Sequence, residues 1–460
     1  MELQGKNILV LGLGETGLSL ARYLARHGAR VRVADSRQVP PQLAALRAAV
    51  PQAEVATGAF RTATFTGIDM IAISPGVPLA EPLVQEALRR GVPVVGDVEL
   101  FARELQRLHA GSAAPKVFAI TGSNGKTTVT SMVGAMCRRA GLRTEVAGNI
   151  SPAVLDALLR CEDEGALPQA WSLELSSFQL ETTASLNPAA AVVLNLSEDH
   201  FDRYAGMDDY VAAKARIFQG EGVQVLNRDD ARVMALALPG RSQVSFGLDA
   251  PARTGDWGLL RDGQAVWLAL GQKRLLRADE LQVHGLHNVA NALAALALCR
   301  AAGLPLAPLL AALREFKGLP HRVELVAQVN GVSFYDDSKG TNVGATVAAL
   351  NGMAQKVVLI AGGDGKGQDF SPLKPAVAEH ARSVVLIGRD REKIACAIHG
   401  CGVPIQRAEN MDEAVEICFR AAQAGDAVML SPACASFDMF RNYEHRAQAF
   451  VAAVKRLEGA

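Results

Sequence analysis

The stretch GSNGKTT at residues 122–128 has the composition of a loop that cradles phosphates. It follows the apolar run Lys116–Ile120 and precedes a helical pattern, so backbone N–H groups and a helix N-terminus would face the same point. Lys126 would add a positive charge there, and the Thr127 hydroxyl suits Mg2+. Ile120 stands where the usual pattern has its first glycine, so the loop is a shortened variant. The spacing predicts a nucleotide-phosphate site, with a plain glycine-rich connection as the alternative.

Three further residues have the chemistry that a phosphate loop needs nearby. Glu174 ends the strand-like run AWSLE, where a carboxylate can bind the metal of a nucleotide. Lys214 lies with Tyr210 on an apolar helical stripe. His200 follows Asp199 just beyond another apolar run. Each residue also has an ordinary interpretation: a solvated glutamate, a lysine whose head reaches solvent, and a structural histidine.

A second glycine turn lies near the N-terminus. ILVLGLGETG places Gly12, Gly14 and Gly17 in the G-x-G-x-x-G spacing of a dinucleotide-binding turn. Asp35 ends the next strand-like run, where an acidic side chain would bind the ribose of NAD. A helix N-terminus behind such a turn suits any diphosphate, however. On these residues alone, both NAD and another diphosphate ligand remain open.

The elements that position these residues follow an α/β pattern. Strand-like apolar runs alternate with helical patterns, which favours mostly parallel sheets. We expect a Rossmann-like N-terminal domain, a central P-loop ATPase-like domain and a Rossmann-like C-terminal domain, with bounds 1–110, 111–318 and 319–460. One long helix is predicted to begin near His287 or Asn288, and the last to span about 437–457. Ligands of open α/β sheets bind beyond the carboxyl ends of the strands, where the polar loops above fall.

Composition narrows the functional classes. The chain of 460 residues is 49% hydrophobic and 20% charged, and its 47 basic and 47 acidic residues cancel. This balance predicts no nucleic-acid partner and no membrane insertion. The opening MELQGKNILVLG does not have a signal-peptide pattern. The 7 cysteines form no C-x-x-C pair, so we expect reduced thiols, a cytoplasmic location and no zinc site.

Taken together, these motifs resemble the Mur ligase family, the ATP-dependent amino-acid ligases of peptidoglycan synthesis. The resemblance runs from residue 8 to beyond 440 and rests on TGSNGKTT, LELSSFQLE, NLSEDHFDRY, HNVANALAA, GLPHR, DDSKGTN, GGDGKG and LSPACASFD, in that order. LSSFQLE and SPACASFD are similar to the member that adds D-glutamate. The resemblance implies that ATP phosphorylates the carboxylate of UDP-N-acetylmuramoyl-L-alanine. The amine of D-glutamate then attacks the acyl phosphate, and phosphate leaves.

The resemblance also implies roles in the ATP site. Lys126, Glu174, His200 and Lys214 would be catalytic. Mg2+, with Mn2+ as the alternative, would bind Thr127, Glu174, His200 and a carbamylated Lys214. The residues implied to bind ATP are Gly122, Ser123, Asn124, Gly125, Lys126, Thr127, Thr128, Asn288, Arg322 and Asp337.

Two more sets of residues follow from the same resemblance. The first glycine turn would hold the UDP substrate instead of NAD. The residues implied for this substrate are Gly14, Glu15, Thr16, Asp35, Ser36, Arg37, Ser74, Gly76, Asn149, Gln179 and His200. Those implied for D-glutamate are Lys339, Thr341, Lys366, Ser436, Phe437 and Tyr443. We expect a monomer acting on small molecules.

Two other functions compete with this interpretation. A dehydrogenase would use the first glycine turn for NAD, but no evident nicotinamide site accompanies that turn. A nucleotide-gated binding protein without turnover would need the phosphate loop alone. The presence of Lys126, Glu174, His200 and Lys214 together argues against it.

Overall fold

A computed structural model of the protein describes residues 3–111, 114–199, 203–283 and 285–458. Three sheets, each flanked by helices, organise these residues, and most neighbouring strands are parallel. The predicted α/β class is therefore confirmed. None of the helices in these ranges combines the length and hydropathy needed to span a bilayer.

The first sheet has five parallel strands in the order β3-β2-β1-β4-β5. Its central strand is fully buried from Ile8 to Leu11 because helices cover both faces of the sheet. The strands are β1 (Asn7–Leu11), β2 (Arg30–Asp35), β3 (Glu54–Thr57), β4 (Met70–Ile73) and β5 (Val94–Val95). The helices are α1 (Glu15–Arg26), α2 (Leu43–Ala49), α3 (Pro82–Arg89) and α4 (Asp97–Leu108). The predicted first turn thus joins β1 to α1.

The central sheet has nine strands in the order β14-β13-β12-β11-β10-β9-β6-β8-β7, and only the β12-β13-β14 end is antiparallel. Its strands are β6 (Lys116–Thr121), β7 (Thr144–Gly148), β8 (Ala170–Glu174), β9 (Ala190–Val193), β10 (Val223–Asn227), β11 (Gln243–Phe246), β12 (Trp257–Asp262), β13 (Ala265–Leu270) and β14 (Lys273–Arg277). Its helices are α5 (Lys126–Arg139), α6 (Val154–Asp163), α7 (Ser177–Glu181), α8 (Met207–Ala215), α9 (Ala231–Met234), α10 (Leu286–Ala301) and α11 (Leu306–Glu315). Strand β6 lies between β8 and β9, with Ile120 opposite Glu174. The phosphate loop and Glu174 therefore leave the sheet at the same edge.

Helix α10 begins one residue before the predicted start. Gly285, with φ of 90°, is its N-cap, and no side chain caps the helix. A left-handed φ favours glycine, so the glycine of HGLHN fixes the boundary instead of the polar residues that follow. The helix then packs on α5, and Leu293, Ala294 and Ala297 are fully buried.

The third sheet has the order β15-β16-β20-β17-β18-β19, and all its neighbours are parallel except the β15–β16 hairpin. Its strands are β15 (Glu324–Val329), β16 (Val332–Asp336), β17 (Val357–Gly362), β18 (Ala381–Ile387), β19 (Ile405–Arg407) and β20 (Ala427–Leu430). Its helices are α12 (Val343–Asn351), α13 (Leu373–His380), α14 (Arg391–Ala397), α15 (Met411–Ala421) and α16 (Tyr443–Glu458). The last helix begins six residues later than predicted, since Asn442 accepts a hydrogen bond from the backbone N–H of His445 and acts as its cap.

Candidate active site

The phosphate loop turns sharply between β6 and α5. Gly122 and Gly125 have φ of 147° and 83°, a region that side chains rarely adopt. A Cβ on Gly125 would also lie 2.5 Å from Asn291 Oδ1. Lys126 folds back over the loop, and its Nζ donates to the carbonyls of Gly122 and Ser123 at 2.8 and 2.9 Å. The two glycines thus allow the sharp turn, and the hydrogen bonds from Lys126 hold the loop in this conformation.

Segments distant in sequence hold this loop in place. Ser123 Oγ donates to the Ser197 carbonyl at 2.9 Å and lies 3.1 Å from the Tyr210 hydroxyl. The Asn124 N–H donates to Asn195 Oδ1 at 2.8 Å. Of these residues, Ser123 and Asn124 were predicted to bind ATP, whereas Asn195, Ser197 and Tyr210 had no predicted role. The only signal for Tyr210 and Asn195 was their place in the same motifs as Lys214 and His200.

Three basic side chains lie beside the loop: Lys126, Lys214 and Arg322, of which Lys214 is buried and the other two are half-buried. Burial lowers the pKa of each, because ionised groups lose hydration inside a protein. For Lys214 the pKa falls well below its usual value, and the charge of Lys126 lowers it further. The carboxylate of Glu174 acts in the opposite direction on all three. The site therefore gathers three basic side chains around one buried carboxylate.

Lys214 does not extend to solvent. Its side chain is 2% exposed, its Nζ donates to the Gly122 carbonyl at 3.0 Å and to Thr121 Oγ1 at 3.3 Å, and it lies 4.6 Å from the centre of the Tyr210 ring. The alternative interpretation, a lysine whose charged end reaches solvent, is therefore wrong. Burial and the charge of Lys126 thus favour the neutral, nucleophilic form of this amine.

Glu174 supplies the buried carboxylate of the site. It is 3% exposed, and its Oε1 accepts from Asn149 Nδ2 at 2.8 Å. Its Oε2 is buried and accepts no hydrogen bond from any described residue. A buried carboxylate oxygen without a donor is available to a cation, and carboxylate and hydroxyl oxygens are ligands that Mg2+ prefers. Glu174 and Thr127 thus fit a magnesium ion. The predicted ligand His200 lies outside the described residues.

The third domain closes over the phosphate loop. Arg322 Nη2 donates to Thr127 Oγ1 at 2.9 Å, and Asn342 Nδ2 donates to Asn124 Oδ1 at 3.1 Å. A cavity of about 340 Å3 lies at this junction. The predicted ATP residues that line it are Asn124, Gly125, Thr128, Asn288, Arg322 and Asp337. His287, Asn291 and Phe246 also line it and were not predicted.

Asp337 is the buried acid of this cavity. It is 6% exposed, and Ser431 Oγ donates to its Oδ2 at 2.6 Å. Burial raises its pKa to about 7 despite this hydrogen bond and the nearby charge of Arg322. Asp337 can therefore accept a hydrogen bond from a ligand hydroxyl as a carboxylate, or donate one as an acid, near neutral pH.

A second cavity, of about 500 Å3, lies at the first glycine turn and extends to the central domain. It is lined by every described residue predicted for the UDP substrate: Gly14, Glu15, Thr16, Asp35, Ser36, Arg37, Ser74, Gly76, Asn149 and Gln179. Asn149 also donates to Glu174, so this cavity reaches the buried carboxylate.

Asp35 holds the first glycine turn rather than facing solvent. Its Oδ2 accepts from the Leu13 N–H at 2.6 Å, and Arg37 binds both of its oxygens at 2.8 and 2.6 Å. The hydrogen bonds from Arg37 are the largest of the effects that lower its pKa to about 2. An acid already paired in this way has less capacity for the two ribose hydroxyls of NAD.

The six residues predicted for D-glutamate form two groups. Lys339 Nζ lies 5.1 Å from the centre of the Tyr443 ring, and Thr341 follows in the same loop. The bridge between Asp364 and Ala435 brings the loop of Lys366 beside Ser436 and Phe437. All six are described, and none lines either cavity. Phe437 is 72% exposed, so its ring is free to meet a ligand.

A cluster that the sequence analysis did not predict lies at the start of the third domain. His321 Nδ1 is 2.6 Å from Asp336 Oδ2, and the His321 N–H donates to Glu324 at 2.8 Å. The ligand atoms of these three side chains lie within 4.8 Å of one another. The contacts fix the backbone of His321, whose φ is 63°, immediately before Arg322. They hold the backbone next to Arg322, whose guanidinium contacts Thr127 of the phosphate loop.

Comparison with protein families gives matches along most of the chain. The Mur ligase MurD-like N-terminal domain matches residues 6–96, the Mur ligase middle domain residues 120–299, and the Mur ligase glutamate ligase domain residues 321–434. Each match contains one of the three sheets or most of its strands.

Individual proteins match over their full length. UDP-N-acetylmuramoylalanine--D-glutamate ligase of Nitrosospira multiformis is 63% identical, covering 100% of this chain and 97% of that protein. The enzyme of the same name from Thiobacillus denitrificans is 60% identical, covering 99% and 98%.

Solved structures share the fold at lower identity. A pseudomurein peptide ligase type C from Methanothermus fervidus has a TM-score of 0.61 at 18% identity, covering 98% of this chain and 100% of that one. UDP-N-acetylmuramate-alanine ligase MurC from Thermotoga maritima has a TM-score of 0.59 at 21% identity, covering 98% and 99%.

Proposed function

Because the chain belongs to the Mur ligase family, we propose that it joins D-glutamate to UDP-N-acetylmuramoyl-L-alanine and converts ATP to ADP and phosphate. The observation that carries this proposal is the convergence of Lys126, Arg322 and the buried Lys214 on the phosphate loop, beside the buried carboxylate of Glu174. The site lies between two cavities, one for each phosphate-bearing substrate. It belongs to an amide-forming ligase of cytoplasmic peptidoglycan precursor synthesis.

In the first step, the carboxylate of the alanyl group attacks the γ-phosphorus of ATP, and the bond to the ADP oxygen breaks. Such a transfer needs charge stabilisation and alignment more than covalent help from the protein. Lys126, released from the Gly122 and Ser123 carbonyls, would bind the transferred phosphoryl group. Arg322 enters from the third domain and would neutralise charge on the same oxygens. The remaining loop N–H groups would hold the other phosphates.

In the second step, the amine of D-glutamate attacks the acyl carbon. The tetrahedral intermediate expels inorganic phosphate, and the nitrogen loses a proton as the amide forms. The burial of the site excludes water, which would otherwise hydrolyse the acyl phosphate. Closure of the third domain through Arg322 and Asn342 serves this protection as well as alignment.

We assign the metal ligands to Thr127, Glu174, His200 and Lys214. Bound Mg2+, or Mn2+ in its place, would neutralise phosphate charge during the transfer. The orphaned Oε2 of Glu174 and the lowered pKa of the buried Lys214 amine support the assignment. A neutral lysine amine can add CO2 to form a carbamate, which turns a buried base into an anionic ligand. Carbamylation would also remove the repulsion between Lys214 and Lys126.

The cavity at the first glycine turn would hold the UDP part of the substrate. The N-terminus of α1 and the turn at Gly14, Glu15 and Thr16 would face the diphosphate, and Asp35 to Arg37 with Ser74 and Gly76 the uridine. Asn149 connects this cavity to Glu174, so the acyl end would reach the site of phosphoryl transfer. The two loops of the third domain that carry Lys339 and Lys366 would supply cations for the carboxylates of D-glutamate.

The wider organisation is proposed on the same basis. We place the domain boundaries near residues 110 and 318 and expect a monomer. All the residues assigned here belong to one chain. The substrates are small molecules of the cytoplasm, where we expect the enzyme to act.

The test is phosphate release from ATP with Mg2+, UDP-N-acetylmuramoyl-L-alanine and a panel of amino acids. Release should require both the UDP substrate and D-glutamate, and chelation of the metal should stop it. Release with a different amino acid would assign the chain to another step of the family. An absorbance change with a nicotinamide cofactor and no phosphate release would identify the first loop as an NAD site and overturn the proposal.

Lys214 carbamylation has its own measurement. Protein equilibrated with 13C-labelled bicarbonate should show a carbamate carbon signal by NMR. The signal should vanish in Lys214→Met and persist in Lys356→Met, a variant of an exposed lysine whose Nζ binds only the Glu379 carbonyl among described residues. An unchanged signal in Lys214→Met would place the carbamate elsewhere.

A further inference from the structure

A buried carboxylate outside the reacting centre holds one side chain of the UDP-substrate cavity. Asp97 is the first residue of α4, the helix that leads from the first domain to the second, and is 1% exposed. Its two oxygens lie 3.4 and 3.1 Å from Nε2 of Gln179, which lines the cavity. None of the ion pairs among the described residues includes Asp97. Burial raises its pKa to about 6.

The orientation of the Gln179 amide is fixed from both ends. Its Oε1 accepts from the Ser176 N–H at 3.1 Å and from Ser176 Oγ at 3.2 Å, in the capping box of α7. Asp97 accepts from Nε2 of Gln179. If the amide were flipped, its Oε1 would face the carboxylate oxygens of Asp97, and two acceptors would repel each other. An amide nitrogen has two hydrogens, and a carboxylate on one side leaves the other hydrogen for a ligand.

A buried carboxylate without a cation does not favour folding by its charge. The contact of Asp97 with Gln179 instead links this carboxylate to the lining of the UDP-substrate cavity. We infer that Asp97 is a positioning residue for UDP-N-acetylmuramoyl-L-alanine, because it fixes the Gln179 amide with a free N–H directed at the muramoyl part of that substrate. This inference rests on the proposed function: Gln179 lines the UDP-substrate cavity together with Asn149, at the end toward Glu174 where the muramoyl part of the substrate would lie.

The same helix provides a matched control. Glu99 accepts from the N–H groups of Ala184 and Ser185 at 2.7 and 2.8 Å and from Ser185 Oγ at 2.6 Å. It therefore joins α4 to the segment after α7, as Asp97 does, but makes no contact with Gln179. Glu99→Gln weakens the junction of the two domains and leaves the amide of Gln179 as it was.

The experiment is calorimetric titration of the full-length protein with three ligands: UDP-N-acetylmuramoyl-L-alanine, UDP and ATP. Asp97→Leu removes the acceptor at similar volume. We expect its Kd for the full UDP substrate to rise about 10-fold, the usual effect of losing one hydrogen bond to a held group. The Kd for UDP and for ATP should stay within about 2-fold, because neither ligand has a muramoyl part. Asp97→Asn keeps one acceptor oxygen and should restore most of the affinity.

Three outcomes would decide against the inference. Unchanged affinity of Asp97→Leu for the full substrate would overturn it. So would an equal loss of affinity for UDP and ATP, or the same loss in Glu99→Gln, since those results indicate a merely structural role. If Asp97→Leu does not fold, Asp97→Ala replaces it. A wild-type protein that does not bind the UDP substrate would refute the proposed function instead, which separates the two failures.

Discussion

The two glycine loops of this protein begin alike and end in different chemistry. Each follows a buried parallel strand and opens a helix, β1 to α1 and β6 to α5. The first loop is held by a carboxylate, Asp35, and its cavity contains the cation of Arg37 already paired with it. The second is surrounded by the basic side chains of Lys126, Lys214 and Arg322 and by a carboxylate oxygen of Glu174 that accepts no hydrogen bond from a described residue.

The difference shows what a loop that takes part in phosphoryl transfer needs beyond a loop that only binds phosphate. Backbone N–H groups and a helix N-terminus bind phosphate in either case. Stabilising a phosphoryl group in transit requires charge that water does not screen. That charge comes from Lys126 in the loop and from Arg322, which lies far from the loop in sequence. The local motif therefore predicts phosphate binding, and its surroundings decide between holding a substrate and transforming it.

The largest test of this comparison removes the loop lysine. Lys126→Ala should reduce phosphate release by at least about 10^3-fold, since the charge that meets the transferred group is lost. The measurement is steady-state release with saturating substrates. Lys116→Ala is the control and should retain activity, because Lys116 begins strand β6, at the end away from the phosphate loop. Substantial turnover in Lys126→Ala would show that the second loop does not carry the chemistry.

The next effect concerns the cation supplied by the third domain. Arg322→Lys should lower kcat/KM for ATP by about 10^2-fold, because lysine cannot reproduce the planar guanidinium that contacts Thr127. Arg314→Lys, in an exposed pair with Glu280 on the central domain, should leave the constant within about 2-fold. If Arg322→Lys behaves like this control, the closure contact has no part in catalysis.

A smaller effect distinguishes the glycines of the first loop. A Cβ at Gly17 would lie 1.9 Å from the Gly12 carbonyl oxygen, whereas nothing lies within 4 Å of a Cβ at Gly14. Gly17→Ala should therefore reduce the free energy of unfolding by about 1–3 kcal/mol, and Gly14→Ala by less than about 1 kcal/mol. Urea unfolding of both variants measures this. Equal stabilities would mean that the turn relaxes without cost.

Asp337 and Asp35, the acids of the two cavities, have pKa values shifted in opposite directions, so their contributions to stability should change with pH in opposite directions. Asp337 has its pKa raised to about 7 by burial, so the folded state binds its proton where the unfolded chain has released it. Stability from this group therefore falls as pH rises from about 4 to 7, by a total on the order of 4 kcal/mol. Unfolding of wild type and Asp337→Asn at pH 5 and pH 7.5 should show that the variant gains relative stability at the higher pH. A constant difference would contradict the raised pKa.

Asp35 should show the smallest effect, and at lower pH. Its pKa, held at about 2 chiefly by Arg37, makes its stabilisation complete above about pH 4 and lost as pH falls toward 2. Asp35→Asn should therefore be less stable than wild type at pH 6, and the gap should close toward pH 2. Thermal unfolding across this range measures the gap, and a gap independent of pH would assign the loss to packing.

The fold was predictable where patterns are local. Strand β6 begins at the predicted Lys116, and β8 coincides with the predicted run AWSLE, because buried parallel strands are continuous apolar runs. Strands β3 and β19 were not predicted: they are short, lie at sheet edges and are partly exposed, so their apolar pattern is weak. The start of α10 was misplaced because a left-handed glycine fixed it.

The site residues divide in the same way. The sequence by itself determined two phosphate-type loops, an odd lysine on an apolar stripe, and a resemblance long enough to carry residue roles. The burial of Lys214, the free oxygen of Glu174, and the contacts of Tyr210, Asn195 and Asp97 were decided only by tertiary structure. Strand order brings the ends of β6, β8 and β9 together, and closure of the third domain adds Arg322. Burial and electrostatic coupling are properties of that assembly, because they depend on neighbours that are distant in sequence.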